Sequence, residues 1–324
     1  VAAVTHIPDQ RDWQPPHFQP LIRNPHLATV LANFWPREFD FRSFPVHESL
    51  VETEPGTKVL VHSQLPSGKV RGNLVLVHGL EGGASAGYMV SLAYCALHAG
   101  FAVHRFHMRT CGDTAHLCTT LYHAGLTSDL YVFLKTLRGP IFLTGFSLGG
   151  NVCLKLAGEL EDQAQGWISG VCAVSTPIDL AAATRRMQHL QNRIYQRRFL
   201  KRMRARIVAT GRYRPEDVER YQSLHAIDDA VTAPSFGFGT ADNYYATQSS
   251  NRFLGGIRVP TLLIQAKDDT FMPFAMFNDP AIAANPNIRL LALPHGGHLG
   301  FLSRRGHRFW LDEAIVSWLN FLDS

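Results

Sequence analysis

The sequence predicts an α/β fold, with a mostly parallel central sheet, helices on both faces and a helical cap inserted late in the order. Three observations predict it. Short apolar runs fit for strands alternate with segments of helical periodicity, the pattern of parallel β-α-β units. A run such as Asn73–Val77 is apolar nearly throughout, which suits a strand buried on both faces. The alternation stops between Asp179 and about Gly256, where helices and loops replace strands, and it resumes at Thr261.

The elements follow in order. Residues 1–47 hold seven prolines (from Pro8 to Pro45) and many aromatics, and read as an irregular arm with a short helix around 26–34. A strand at 58–64 follows the Glu54-Pro55-Gly56 turn, and 73–77 is the buried strand. A helix at 85–98 stops at Gly100, and 101–106 is the next strand. The helix at 126–137 starts from Thr127 or Ser128 as cap and ends at Gly139-Pro140. Strand 141–144, helix 148–160 and strand 168–174 come next. After the insertion come strand 261–265, another helix, strand 288–293 and a final helix near 308–322. The expected division is an arm (1–47), a core (48–178 and 257–324) and a helical cap or lid (179–256).

Composition narrows the function classes. The chain has 324 residues, 46% hydrophobic and 18% charged, enough to bury a core and unlike a disordered chain. It has no fixed repeat, no heptad run and no apolar stretch of about 20 residues, which argues against solenoids, coiled coils and a transmembrane helix. The five cysteines (Cys95, Cys111, Cys118, Cys153, Cys172) are odd in number and lack CxxC spacing. They predict reduced thiols and a cytoplasmic setting, not a disulfide framework or a zinc site. The first 20 residues do not read as a signal peptide, although the start at Val1 without methionine leaves a removed leader open.

The net charge of +5 is unevenly spread. Between Ala181 and Pro215 there are 11 basic residues and no acidic one. Met187, Leu190, Ile194, Leu200, Met203 and Ile207 recur there at roughly helical spacing, so the segment reads as basic amphipathic helix. One reading is a solvated outer face. The other is attraction to an anionic substrate or peripheral contact with an anionic membrane. No nucleic-acid motif accompanies the charge, so nucleic acid is not expected.

The chemistry centres on Gly145-Phe146-Ser147-Leu148-Gly149. The motif is short, but it directly follows an apolar strand and opens a helix, as a nucleophile elbow requires. The tight turn needs small residues two before and two after the serine, and Gly145 and Gly149 supply them. A serine hydroxyl is a weak nucleophile at neutral pH and needs a base oriented by a carboxylate. On this kind of elbow the partners follow in the order Ser, Asp or Glu, His. Asp269 lies just past strand 261–265, and His298 lies past strand 288–293 among glycines, so Ser147, Asp269 and His298 are the expected triad. Asp268 is the alternative acid, with Asp269 then a helix cap. His295-x-x-His298 lacks HExxH and a carboxylate at ligand spacing, so no metal is expected. An oxyanion hole needs two backbone N–H groups. Leu148, after the nucleophile, offers one, and the His78-Gly79-Leu80-Glu81-Gly82-Gly83 loop after strand 73–77 offers the other through Leu80.

These residues resemble the α/β-hydrolase superfamily and, within it, the YheT-like branch, which also holds the ABHD1/ABHD3-type hydrolases and yeast ethyl-ester synthases. The matching pieces are Arg23-Asn24-Pro25-His26-Leu27, His78-Gly79-Leu80-Glu81-Gly82, Arg109-Thr110-Cys111-Gly112, Tyr122-His123-Ala124-Gly125, the elbow through Gly150-Asn151, Tyr244-Tyr245, Asp268-Asp269 and His295-Gly296-Gly297-His298. Asp269-Thr270-Phe271-Met272-Pro273 fits the family's Asp-x-x-x-Pro turn, which favours Asp269 as the acid. Where the family often has Asn-x-Arg-Gly, this chain has His107-Met108-Arg109-Thr110. The resemblance implies carboxylesterase or lipase activity on acyl esters and no cofactor.

The expected function is that of a serine carboxylesterase acting on a small-molecule, lipid-like acyl ester through an acyl-enzyme. Acyl transfer to an alcohol at the same site is one alternative. The other is a catalytically silent hydrolase fold that binds anionic membrane. The insertion follows the strand after the elbow helix, so it is expected to fold over Ser147. Met187, Ile194, Phe199 and Met203 would then face the pocket or the core, with the arginines outward.

Overall fold

The computed structural model describes residue 10 and residues 12–324; residues 1–9 and 11 of the predicted arm lie outside it. Eight strands form one sheet: β1 (His47–Glu54), β2 (Thr57–Gln64), β3 (Asn73–Val77), β4 (Ala102–Phe106), β5 (Ile141–Phe146), β6 (Ile168–Val174), β7 (Thr261–Ala266) and β8 (Ile288–Leu293). Their spatial order is β1-β2-β4-β3-β5-β6-β7-β8. The β1–β2 and β2–β4 pairs are antiparallel and all the others parallel.

The apolar runs explain the layers. Successive side chains of β3 point to opposite faces, so Leu74 and Leu76 enter one core and Val75 and Val77 the other. The first core packs the helix Gly87–His98 and the C-terminal helix Trp310–Leu322, with Trp310 and Trp318 almost completely buried. The second packs Ser128–Leu134 and the elbow helix Leu148–Leu160.

Several boundaries differ from the sequence reading. β1 was not expected: His47-Glu48-Ser49 and Glu52-Thr53-Glu54 carry no apolar alternation, because β1 is an edge strand largely open to water. The helix expected at 126–137 is shorter, and Thr127 forms no side-chain cap; its hydroxyl donates instead to Glu159 Oε2 at 2.7 Å. The arm does carry a helix, α1 (Pro25–Phe34), entered through an Asn24 cap whose Oδ1 accepts from Leu27 N at 3.0 Å, with proline in the first turn.

The insertion between β6 and β7 is helical. It includes α2 (Leu180–Met187), α3 (Arg193–Ala209) and the helix Ala241–Gln248. Its own apolar cluster holds Met187, Leu200, Met203, Ile207 and Ile227, and it is continuous with Phe271 and Met272 of the loop after β7. Two expectations for this segment are corrected. Ile194 is 79% exposed, and Arg206 turns inward to 9% exposure. The periodicity of α3 shows an apolar stripe but not which side of the stripe meets the core, and Arg206 is drawn in by the carboxylate of Glu81. No helix among the described residues is long and apolar enough to cross a membrane, and all five cysteines are free.

Candidate active site

Ser147 stands between β5 and the elbow helix with φ +51° and ψ −121°, a left-handed conformation costly for a residue with a side chain. The turn closes only because its flanks are glycine. A Cβ on Gly145 would run into the Gly149 carbonyl, and one on Gly149 into the Val77 carbonyl. The serine is thereby pushed out at the C-terminal edge of the parallel strands, where Asp269 and His298 also emerge from the loops after β7 and β8.

Three side chains predicted from chain order meet there. His298 Nε2 lies 3.0 Å from Ser147 Oγ, and His298 Nδ1 lies 3.0 Å from Asp269 Oδ2. Asp269 also accepts from Phe271 N at 2.8 Å, Met272 N at 3.1 Å and Gln265 Nε2 at 3.2 Å, which fix the carboxylate in place. Asp268 faces elsewhere: it meets His295 Nδ1 at 3.1 Å and accepts from Gly297 N at 2.9 Å, bracing the loop that carries His298. The two histidines of His295-x-x-His298 therefore have separate carboxylate partners.

The loop after β3 is held by groups that the sequence reading did not single out. Gly79 N donates to Tyr88 OH at 3.1 Å and Glu81 N to Tyr122 OH at 3.2 Å, while the N–H of Leu80 between them meets no acceptor among the described residues. Leu148 N, in the first turn of the elbow helix, likewise meets no acceptor among the described residues. A Cβ on Gly79 would lie 3.1 Å from Ser147 Cβ, tighter than ordinary side-chain packing, which shows how closely the loop approaches the serine. His78 is the strut: Met108 N donates to its Nε2 at 3.2 Å, which leaves Nδ1–H to donate to Gly79 O at 2.7 Å. Burial pushes its pKa down to about 4, so it is neutral at physiological pH.

The insertion is wired into the same loop. Arg206 Nε donates to Glu81 Oε1 at 2.8 Å, Tyr122 OH donates to that oxygen at 3.1 Å, and the guanidinium lies over the Tyr122 ring. Burial disfavours the Arg206 charge, but Glu81 outweighs it and raises the pKa. Other motif residues serve the frame. Arg109 forms a buried fork with Asp129 and reaches Glu54. Asn151 bonds Ala124 O and Gln248 O and accepts from Ser250 N, tying the elbow helix to the insertion.

Ser147 and His298 open into a cavity of about 970 Å³, a figure that includes its open mouth. Phe199, Tyr195 and Phe271 line it from the insertion and the loop after β7, Val30 and Phe34 from α1. Arg37, Arg198 and Arg202 also line it, with no acidic residue. A second space of about 480 Å³ lies against Leu80 and Leu148, beneath Tyr122, Met203 and Tyr244. Away from the site, Cys95, His307 and Asp312 place ligand atoms within 4.8 Å of one another. Burial raises the Cys95 thiol to about 12 and the Asp312 carboxyl to about 7.

Residues 72–304 match the family model described as the alpha/beta hydrolase fold. The chain belongs to the α/β-hydrolase family. It is 31% identical over 313 residues to YheT of Escherichia coli, a provisionally assigned esterase, covering 91% of this chain and 90% of that one. A Saccharomyces cerevisiae monoacylglycerol lipase is 27% identical over 79% of this chain and 60% of its own. Mouse phospholipase ABHD3 is 24% identical over 72% of this chain and 59% of its own. These likenesses place the chain in the YheT-like branch. Among solved structures, the Pyrococcus furiosus esterase Pf2001 superposes with a TM-score of 0.58 at 16% identity, covering 88% of this chain and 96% of that one, a likeness of fold alone.

Proposed function

We propose that this hydrolase is a serine carboxylesterase of lipid-like acyl esters, with Ser147 as nucleophile, His298 as base and Asp269 as the carboxylate that orients it. Carboxylic ester hydrolysis is its class. The observation that carries the residue roles is the unbroken run of contacts from Ser147 Oγ to His298 Nε2 and from His298 Nδ1 to Asp269. As Ser147 Oγ attacks the ester carbonyl, His298 Nε2 takes its proton and Asp269 stabilises the imidazolium. The negative charge that develops on the carbonyl oxygen is received by the N–H groups of Leu80 and Leu148, which need no reorganisation because their neighbours are already pinned. His298 then returns the proton to the departing alcohol. Water, activated by the same histidine, releases the acid from Ser147.

The lipid-like part of the reading rests on the cavity wall. Phe199, Phe271, Val30 and Phe34 offer an apolar surface to an acyl chain. Arg37, Arg198 and Arg202 favour an ester whose polar end is anionic or dipolar over a cationic one. Relatives named monoacylglycerol lipase and phospholipase point the same way. In this reading 179–256 is a lid over the core of 48–178 and 257–324, and 1–47 is an arm that completes the cavity wall. A series of nitrophenyl esters of increasing chain length tests it. The kcat/KM should rise from acetyl to medium-chain acyl, and a preference for acetyl would remove the lipid-like assignment. Turnover by Ser147→Ala at the wild-type rate would remove the nucleophile.

A further inference from the structure

α1 is turned inside out relative to an ordinary surface helix. Its buried side chains are small, Ala28, Thr29 and Ala32. Its large apolar residues, Leu27, Val30, Leu31 and Phe34, recur at i, i+3, i+4 and i+7 and are between 38% and 63% exposed. Small residues face inward because the helix lies against the glycine loop of His298, where a Cβ on Gly297 or Gly300 would run into the backbone of Pro25 or Ala28. Nothing in that contact requires the outer face to be apolar.

The insertion extends this face. Leu190 and Ile194, one helical turn apart, are 86% and 79% exposed. The two segments touch: the His26 ring stacks on Tyr195 at 5.8 Å, and the Arg198 guanidinium lies 5.4 Å from the centre of the Phe34 ring. These six residues are most of the exposed large hydrophobics among the described residues, and the two segments that carry them are in contact. Val30, Phe34, Arg198 and Arg202 also line the cavity that holds Ser147, so the surface is the rim of the cavity mouth.

The rim has one sign of charge. Neither 23–37 nor 181–215 contains an acidic residue. Within α3 the basic residues divide by position. Arg204 and Arg206, near its C-terminal end, bond to Tyr221 O and Glu81. Arg193, Arg197, Arg198, Lys201 and Arg202 are exposed and pair with no carboxylate among the described residues.

We propose that this rim docks on an anionic lipid bilayer, its apolar residues entering the boundary between headgroups and chains while the flanking arginines and lysine meet anionic headgroups, so that the cavity opens directly onto lipid. Large exposed apolar residues flanked by unpaired cations are what an interfacial helix needs. Charge chooses this occupant over a second copy of the chain, because a two-fold contact would set two cationic rims against each other. The proposal rests on the reading of the site as an esterase of lipid-like esters, and gives it the surface from which such substrate is drawn.

The test uses the full chain carrying Ser147→Ala, to prevent turnover, mixed with vesicles of phosphatidylcholine alone or with about one-third phosphatidylglycerol. Cosedimentation should be about tenfold stronger or more on the anionic vesicles at low salt and should weaken at physiological salt. Leu31→Ser/Leu190→Ser/Ile194→Ser should lose this binding, yet on the background with Ser147 intact should keep wild-type kcat/KM on a short water-soluble ester and an unchanged melting temperature. Arg193→Gln and Arg197→Gln should each weaken binding by about fivefold. Equal binding to both vesicle types, or none to either, overturns the proposal, as does a dimer in sedimentation velocity that the triple serine variant dissolves. If vesicle binding fails while long-chain esters are still hydrolysed, the rim falls and the esterase reading stands. If binding holds while no ester is hydrolysed, the esterase reading falls instead.

Discussion

The elbow and the histidine loop hold their side chains in opposite ways. Ser147 is positioned by its immediate neighbours: a strand, a left-handed turn and two glycines within five residues. His298 is positioned from a distance. Its backbone N–H donates to Thr29 Oγ1 at 2.9 Å, Leu299 N donates to Ser175 Oγ at 3.3 Å, and Asp268 holds Gly297 N. Thr29 is itself fixed by its bond to Pro25 O at 2.7 Å, so one hydroxyl links the arm to the His298 backbone. The placement of Ser147 therefore depends mainly on the chain's ability to turn, and that of His298 on tertiary assembly. Damage to the first should cost the fold or the whole reaction, and damage to the second should cost rate in graded steps.

The largest expected effect is on the elbow. Gly149→Ala places a methyl against the Val77 carbonyl, backbone against backbone, and should leave little folded protein, which a thermal melt or the soluble yield reads directly. A normal melt for this variant would break the claim that the turn admits only glycine against β3. Ser147→Ala keeps the turn and removes only the hydroxyl, so it should melt like wild type while kcat falls by several orders of magnitude. The neighbouring acids come next. Asp269→Asn should lower kcat by about 10⁴-fold, through loss of the charge that orients and stabilises His298. Asp268→Asn, which leaves that charge in place, should cost about tenfold or less. The reverse ranking would exchange their roles. Thr29→Val removes the hydroxyl behind the His298 N–H while keeping a side chain of similar shape at the cavity wall, and should reduce kcat by about tenfold with a smaller change in KM.

These contrasts also account for what was legible in the sequence. Ser147, Gly145 and Gly149 could be read because the residues of the elbow are contiguous, although the Val77 carbonyl that holds Gly149 to glycine lies on β3. Asp269 and His298 could be read from their order and from their place after successive strands. Thr29, Tyr88 and the Glu81–Arg206 pair could not, because each acts on a partner far along the chain and no spacing records the contact. β1 escaped notice because an edge strand in water has no need of alternating apolar residues. Ile194 was assigned inward from periodicity alone. Its exposure is informative because it joins the apolar face of α1 at the cavity mouth.

Acid should expose a weakness shared by the frame. Burial lowers His78 and His104 to about 4 and His107 and His123 to about 3, below the ordinary value of 6.5. These four bind fewer protons folded than unfolded, so the stability they contribute is present above pH 6.5 and is lost as the pH falls toward 4. Buried Asp228, raised to about 6, and Asp312, raised to about 7, act in the opposite sense, losing their contribution as the pH rises from 4 through those values. Four groups against two leave a net fall in stability from pH 7 to pH 5, which a shift of the urea midpoint to lower concentration should show. A midpoint that rises on acidification would mean the histidines are not held neutral.

The central claim is that one serine, made reactive by His298, carries the acyl group. Intact-mass analysis after treatment with a fluorophosphonate, followed by peptide mapping, tests it most directly. The account predicts a single adduct on Ser147, formed far more slowly in His298→Ala and within about tenfold of the wild-type rate in Asp268→Asn. An adduct on another residue, or an enzyme that hydrolyses esters at full rate after treatment while Ser147 stays unmodified, would contradict it.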